Sequence, residues 1–319
     1  MTTPTNTVNA APAKVAAATP GLTSPGRLRG FRFRKAATPY VFLAAPVVLL
    51  LVFTYIPVGN MFWYSVTSWN GLSPEKEFVG AQNYIDIATR PELFGVFWVS
   101  LYYLGASVIQ LVVALYFATI LSFKVRFRNF FKGVLFFPYL INGVAIGMIF
   151  LYFFKPGGTL DSVLAMAGLG DATRQWLGDP NTVNYSLAAT SVWRYLGLNF
   201  VLFLGAIQSI PSELYEAAEI DGATRWQQFW HIILPGIRPI VGLSFILAIS
   251  GSLAVFEIPF IMTGGSNNSE TFVIQTINIA FKFYKVGLAS AMAVVLLVIV
   301  LLVTWLQRRI VPEDRVMPS

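Results

Sequence analysis

Long apolar segments constrain the fold of this chain more than any other feature. Six apolar stretches carry few charges, and each reaches the length of about 20 residues with which a helix crosses the hydrocarbon core of a bilayer. Backbone polar groups in that core must be paired within their own segment, so each stretch is expected to be helical. We therefore predict an all-α integral membrane protein with six transmembrane helices. The expected spans are about 40–64, 95–123, 131–154, 185–207, 237–257 and 286–307.

The segments outside these spans divide the chain into three parts. Residues 1–26 are rich in Ala, Thr and Pro and show no apolar periodicity, so we expect a disordered cytoplasmic N-terminal tail. Residues 27–309 form the predicted six-helix domain, and residues 310–319 form a cytoplasmic C-terminal tail. A basic cluster from Arg27 to Lys35 directly precedes the first span.

The distribution of basic residues predicts the orientation. Of the 22 Lys and Arg residues, 15 fall on the side of the two tails, six fall on the other side, and Arg194 lies within the fourth span. Because cytoplasmic segments carry the excess of Lys and Arg, both termini are expected in the cytoplasm. The predicted outer loops are then 71–91, 156–184 and 263–282.

Composition excludes several classes of chemistry. The chain has no Cys and one His, so it lacks thiol nucleophiles and the ligands of a Cys/His zinc site. No G-x-x-x-x-G-K-[ST] motif occurs, so the chain is not expected to bind ATP through a P-loop. The net charge of +7 does not indicate nucleic-acid binding, because the basic residues lie at the edges of apolar segments. We therefore expect a non-enzymatic chain without a cofactor of its own.

A polar stretch at 211–239 separates the fourth and fifth predicted spans and faces the cytoplasm in this topology. Ser212 is expected to cap a short helix with acidic residues in its first turns. Gly222 is expected to end that helix, and a second helix over 225–234 is predicted to stop at Pro235. The predicted apolar face of the first helix consists of Leu214, Ala217, Ala218 and Ile220.

The spacing within this stretch resembles a known motif. Glu216-Ala217-Ala218 is followed by three residues, Gly222, nine residues, Ile232, one residue and Leu234-Pro235. This is similar to the "EAA loop" of membrane subunits of binding-protein-dependent ABC importers. Other motifs are similar to sugar-importing permeases of the maltose F-subunit and glycerol-phosphate A-subunit type, although Phe150 stands where many relatives carry Trp. These motifs are Phe137-Pro138-Tyr139, Trp176-Leu177, Val192-Trp193-Arg194, Gln208-Ser209-Ile210-Pro211 and Thr263-Gly264-Gly265.

The resemblance implies a multi-subunit transporter in the bacterial cytoplasmic membrane. Such permeases pair with a second homologous permease, two ABC ATPase subunits that bind ATP and Mg²⁺, and an extracytoplasmic solute-binding protein that delivers a sugar or oligosaccharide. In this family the EAA helix docks into a groove on the ATPase. The residues that the resemblance assigns to ATPase coupling are Glu216, Ala217, Ala218, Asp221, Gly222 and Ala223.

A sugar pathway is expected to combine aromatic rings with hydrogen-bonding groups, and the fourth and fifth spans supply both. Tyr195 and Asn199 lie four residues apart on one helical face. Alternatively, Trp193 and Tyr195 only pack between helices, and Arg194 pairs with a carboxylate such as Glu257. An ungapped match outward from the EAA motif places Trp193, Arg194, Tyr195, Gly251, Ser252 and Val255 on the sugar site of maltose-type permeases, and Asn199 and Glu257 complete the predicted pathway.

An ion-coupled secondary carrier of small polar solutes is the alternative function. That class is expected to place carboxylates within the membrane or to contain helices broken near the midplane. Only Glu257 qualifies here, and it lies close to the predicted outer end of the fifth span. We therefore favour a permease subunit of an ATP-driven ABC importer that takes up a sugar or oligosaccharide.

Overall fold

The computed structural model describes residues 40, 42–123 and 125–310. The tail predicted at 1–26, the basic cluster before the first span, and the tail predicted at 310–319 apart from Ile310 lie outside these residues, so those predictions stay untested. The chain separates into two compact units, Met1–Pro57 and Val58–Ser319. Every contact described below lies within the second unit.

Five helices are long and apolar enough to cross a membrane, which confirms the predicted all-α membrane fold. Their ends lie within a few residues of the predicted ones, except that the helix predicted to end at Glu257 extends to Thr263. We call these helices the first, second, fourth, fifth and sixth spans, namely Phe42–Ser65, Pro91–Ser122, Val183–Gln208, Arg238–Thr263 and Val286–Arg309.

The third span, predicted at 131–154, is a broken helix. Its halves, Arg128–Leu140 and Gly143–Phe154, meet at an angle of 97°. Pro138 lacks the N–H that would continue the helical ladder, and the backbone leaves the helix two residues later. The Asn142 side chain then accepts a 2.8 Å hydrogen bond from an N–H of the second half and caps it. Counting the pair as one crossing gives six spans.

The fifth span also contains a break, between Arg238–Leu253 and Glu257–Thr263. Pro259 has no N–H to pair with the Val255 carbonyl four residues earlier. The Thr271 hydroxyl donates a 2.8 Å hydrogen bond to that carbonyl instead, so the group is satisfied at the break. Glu257 is consequently the first residue of a further helix inside the span, whereas sequence analysis placed it near the outer end.

Segments predicted as outer loops contain further elements. The segment at 263–282 is largely helical, and Phe272, Ile274 and Ile279 are buried in the core. The helix there is too short to be counted as a span, and the apolar character of these residues was the available signal that this connection packs into the core. The elements not yet named are strands Thr67–Ser68 and Glu77–Phe78, helices Gln82–Thr89, Thr159–Met166, Ser212–Ile220, Arg225–Gln228, Leu234–Gly236 and Phe272–Ile277, the 3₁₀ turn Gly170–Ala172, and the π-helical turns Leu51–Tyr55, Phe229–Ile233 and Asn278–Lys282.

The second and fourth spans pack against each other along their length and form the centre of the core. The first half of the third span lies against the fourth span at Gly197. A Cβ on Gly197 would overlap the backbone of Leu135 and Phe136, so the absence of a side chain permits this close approach. The side chains buried between the second and fourth spans include Leu111, Ala114, Ala118, Phe200, Phe203, Leu204 and Ile207.

A second close approach attaches the two-stranded antiparallel ribbon to the sixth span. The Gly287 N–H donates a 2.9 Å hydrogen bond to the Trp69 carbonyl, and a Cβ on Gly287 would overlap the Thr67 carbonyl oxygen. The Asn83 amide donates to the carbonyls of Ser65 and Thr67 at 2.8 and 3.0 Å. The ribbon is therefore held by backbone contacts on one side and by a buried amide on the other.

We predict that Gly287→Ala lowers the thermal stability of the detergent-solubilised protein. Ribbon backbone atoms have to move to accept the methyl group, at a cost of about 1–3 kcal/mol. Gly205→Ala is the matched control, because a Cβ at that helical position meets nothing within 4 Å. Thermal unfolding measures both variants, and equal melting temperatures would contradict the close approach.

Candidate functional site

The segment between the fourth and fifth spans is helix, turn and helix, as predicted, and its first helix is Ser212–Ile220. This helix ends in a Schellman motif. The Gly222 N–H donates to the Glu219 carbonyl at 3.1 Å, and the Ala223 N–H donates to the Ala218 carbonyl at 2.8 Å. Gly222 has a φ of +75° and open space around an added Cβ, so its backbone conformation, not crowding, requires glycine.

The capping residues differ from the prediction. Ser212 lies inside the first turn, and Pro211 occupies the N-cap position. The second helix carries the side-chain cap: the Gln227 side chain accepts from the Thr224 N–H at 2.7 Å, and the Thr224 hydroxyl accepts from the Gln227 N–H at 3.4 Å. This capping box has the local sequence signal Thr-x-x-Gln, which our sequence analysis missed.

The second helix continues past Pro235, where it was predicted to stop. It runs through a π-helical turn at Phe229–Ile233 and ends at Gly236. Within that turn the Leu234 N–H donates to the Phe229 carbonyl five residues earlier. Pro235 has no N–H to donate within the helix. The π-helical turn before it changes the spacing of the hydrogen bonds, so the proline is tolerated inside the helical segment.

The first helix exposes most of its apolar side chains. Ile220 is 87% exposed and Leu214 is 51% exposed, and Ala217 is exposed beside Glu216. Tyr215 is half-buried and packs against the core cluster that joins residues of the second and fourth spans with Ile233 and Ile237. The helix therefore presents a mixed apolar and acidic surface that residues 40, 42–123 and 125–310, the described part of the chain, leave uncovered.

Tyr215 attaches this helix by apolar packing. Burial raises the pKa of its phenol above the ordinary value, so the hydroxyl stays protonated at neutral pH. Within the described part of the chain that hydroxyl has no hydrogen-bond partner. The contact therefore depends on the ring and not on the hydroxyl.

The predicted pathway residues of the fourth span surround an ion pair. Arg194 Nη1 lies 2.5 Å from Glu257 Oε2, which is the pairing that sequence analysis held open as the alternative role of Arg194. The Arg194 guanidinium also lies 5.0 Å from the centre of the Tyr195 ring, close enough for a cation–π interaction. Gly143, which sequence analysis did not name, lies directly against both charged groups. A sugar contact by Arg194 or Glu257 stays a prediction.

Aromatic side chains from both halves of the third span meet the fourth span here. The Tyr139 and Tyr195 ring centres are 6.4 Å apart, and the Phe150 and Trp193 rings pack edge to face at 5.2 Å. Sequence analysis did not assign Tyr139 or Phe150 to the site, because their proximity depends on the bend of the third span. The bend thus places an aromatic ring of each half of the third span against the fourth span.

The other predicted pathway residues lie differently. Ser252 is buried, and its hydroxyl donates to the Ile249 carbonyl of its own helix at 2.8 Å. Gly251 is exposed and open to an added Cβ, while Val255 and Asn199 are half-buried. The structure therefore brings Arg194, Tyr195 and Glu257 together, while Trp193 packs against Phe150 and the Ser252 hydroxyl is already engaged.

Comparison with known proteins identifies the family. Residues 110–315, more than half of the chain, match the family described as "Binding-protein-dependent transport system inner membrane component". The chain is 34% identical over 277 residues to the probable ABC transporter permease protein YurN of Bacillus subtilis (strain 168), covering 85% of this chain and 94% of the relative. It is 33% identical to the multiple sugar-binding transport system permease protein MsmF of Streptococcus mutans serotype c, covering 84% of this chain and 93% of the relative.

A solved structure shares the fold. The chain matches, with a TM-score of 0.78 and 18% identity, a chain of a bacterial alginate ABC transporter in complex with an alginate pentasaccharide-bound periplasmic protein; the match covers 88% of this chain and 96% of that one. Broken helices, which sequence analysis expected of ion-coupled carriers, are present here in a chain whose relatives are ABC permeases, so they do not favour the alternative. With its membrane-spanning helices and its family match, the chain is a multi-pass protein of the cytoplasmic membrane and belongs to the binding-protein-dependent transport system inner membrane components.

Proposed function

We propose that this chain is one of two permease subunits that together form the sugar pathway of an ATP-driven importer. One observation carries the proposal: a member of this transport family exposes a helix–turn–helix with the EAA spacing between its fourth and fifth spans. The similar MsmF is a permease of a multiple sugar-binding transport system, which supports a sugar or oligosaccharide as the solute. Two partner ATPase subunits bind ATP and Mg²⁺, an extracytoplasmic solute-binding protein delivers the sugar, and this chain catalyses no reaction.

The uncovered surface of the helix Ser212–Ile220 suits docking into a groove on the ATPase. Leu214 and Ile220 offer exposed apolar side chains for such a groove, and Ala217 permits close approach. Glu216 is exposed between them and can pair with a basic group of the partner. The proposed contact therefore combines apolar burial with one charge pair.

The structure of the turn suits transmission of movement from the ATPase to the spans. Asp221, Gly222 and Ala223 end the helix in a fixed geometry, because the Schellman motif pairs its last carbonyls. The Ala218 carbonyl accepts one of the two hydrogen bonds of this motif, and Tyr215 packs on the core cluster that includes residues of the second and fourth spans. A displacement of the helix is thereby passed to the centre of the protein through packed side chains.

We predict that Glu216→Lys and Gly222→Pro each abolish uptake while the permease still reaches the membrane. The first reverses the charge of the docking surface, and the second forces a φ near −65° on a residue at +75°. In the purified complex, both variants should lose the stimulation of ATP hydrolysis by sugar-loaded binding protein. Asp171→Lys, at an exposed site in a 3₁₀ turn, is the charge-reversal control; wild-type uptake by both coupling variants would contradict the proposed docking.

Aromatic side chains of the fourth span supply the proposed sugar contacts. Trp193 and Tyr195 are partly exposed, at 39% and 36%, which leaves ring area for the apolar face of a sugar. Asn199 lies one turn further along the same helix and offers an amide. The Ser252 hydroxyl donates to a carbonyl of its own helix, so the proposed role of Ser252 is its small size and not a hydrogen bond to the sugar.

We predict that Tyr195→Ala and Ser252→Leu lower uptake of the native sugar while the basal ATPase activity of the assembled complex survives. Loss of the Tyr195 ring should reduce uptake by about fivefold, since ring stacking contributes about 1 kcal/mol, and leucine at Ser252 should obstruct the pathway by its bulk. Tyr116→Ala removes an exposed ring of the second span and is the control. Unchanged uptake in both variants, or equal loss of assembly, would count against this site.

We also propose that the helix–turn–helix faces the cytoplasm, as the excess of basic residues on its side supports. A reporter that is active only in the cytoplasm is expected to work when fused after Arg126 or Gln228 and to fail after Gly170. Reporter activity in intact cells measures this directly. The reverse pattern would overturn the proposed orientation.

A further inference from the structure

Three separate elements meet at one point in the centre of the protein. Arg194 lies in the middle of the fourth span, and Glu257 is the first residue after the break of the fifth span. Gly143 is the first residue after the break of the third span. Both breaks therefore converge on the same charged pair of side chains.

The contact at Gly143 leaves no room for a side chain. A Cβ on Gly143 would overlap the Glu257 carboxylate and Arg194 Nη1. One turn later, a Cβ on Gly147 would lie 2.7 Å from the Ile261 side chain. The second halves of the third and fifth spans thus pack closely against each other, with the ion pair at the end where both halves begin.

Removal of one charge from this pair is expected to be costly. The Arg194 side chain is 13% exposed and the Glu257 side chain is 39% exposed, so the guanidinium is the shielded charge and depends on the carboxylate more than the carboxylate depends on it. Removal of both charges has a different effect, because two neutral amides can still hydrogen-bond to each other. The two cases can be separated by experiment.

We propose that the Arg194–Glu257 ion pair, seated on Gly143, is a positioning contact that holds the broken third and fifth spans against the fourth span. Within the proposed sugar pathway, it sets the placement of the aromatic rings of Tyr195, which lies beside Arg194, and of Tyr139, which lies beside Tyr195. The two charged residues act through this placement and are not themselves ligands of the sugar. The positioning role of the ion pair does not depend on the proposed function; only the statement that the pathway carries a sugar does.

A sugar-free measurement tests the contact. The chain contains no Cys, so a single introduced cysteine is its one labelling site, and the chain is separated from the partner subunits by denaturing electrophoresis before the label is quantified. Ile146→Cys places a thiol at a fully buried position one turn after Gly143, and Ala118→Cys places one in the buried core between the second and fourth spans. The rate of labelling by a charged methanethiosulfonate reagent is measured for each, in membranes that contain the whole transporter.

We expect Glu257→Gln to raise the labelling rate at position 146 by about tenfold or more, because it leaves the shielded Arg194 guanidinium without its partner. Arg194→Gln is expected to raise the rate by a smaller factor, because the Glu257 carboxylate that it leaves is partly exposed to water. The double variant is expected to return to within about twofold of the wild-type rate. Labelling at position 118 is expected to stay unchanged throughout. If Arg194 and Glu257 only bound the sugar and had no positioning role, their substitution would leave labelling at position 146 unchanged in the absence of sugar.

Gly143→Ala provides a variant that keeps both charges, in case the single neutralisations prevent assembly. It is expected to raise labelling at position 146 as well, whereas Gly133→Ala, where an added Cβ meets nothing within 4 Å, is not. Wild-type labelling in Gly143→Ala, failure of the double variant to restore the rate, or equal increases at 146 and 118 would each overturn the inference. Failure of the proposed function would instead appear as a wild-type transporter that takes up no sugar, with labelling unaffected.

Discussion

A backbone group that leaves its helix inside the membrane has to find another partner, and this constraint shapes the centre of the permease. Asn142 caps the second half of the third span. In the fifth span, Pro259 withdraws a donor from the Val255 carbonyl, and the Thr271 hydroxyl replaces it. Because each break has a dedicated partner, two interrupted helices can meet the continuous fourth span without leaving these polar groups unsatisfied.

The spans were predictable from sequence because an apolar run of this length has essentially one solution in a bilayer. The breaks were not. Pro138 lies within an apolar run that continues on both sides, and Thr271 is 16 residues away from the carbonyl it satisfies. Length and composition report how often the chain crosses the membrane, but not where a tertiary contact allows a helix to open.

The candidate sites show the same division between local and distant signals. The turn at Gly222 and the capping box at Thr224 each depend on residues that are close in the sequence. The capping box was therefore predictable, although we did not predict it. The inward position of Tyr215 was not predictable from sequence. Helical periodicity identifies an apolar face, but it does not show whether the rest of the chain or a partner protein covers that face. Arg194 and Glu257 are 63 residues apart, so sequence could offer their pairing only as one of two possibilities.

Gly222 and Gly143 tolerate different substitutions, although nothing in the sequence distinguishes the two glycines. At Gly222 the restriction is the positive φ, with free space around the position, so asparagine is the most acceptable replacement, as the non-glycine residue best suited to that conformation. At Gly143 the restriction is volume, since the place of a Cβ is occupied by the charged pair. Substitutions at Gly222 are therefore limited by the backbone conformation that the new residue can adopt. A substitution at Gly143 is tolerated only if the Arg194 or Glu257 side chain moves or is replaced by a smaller one.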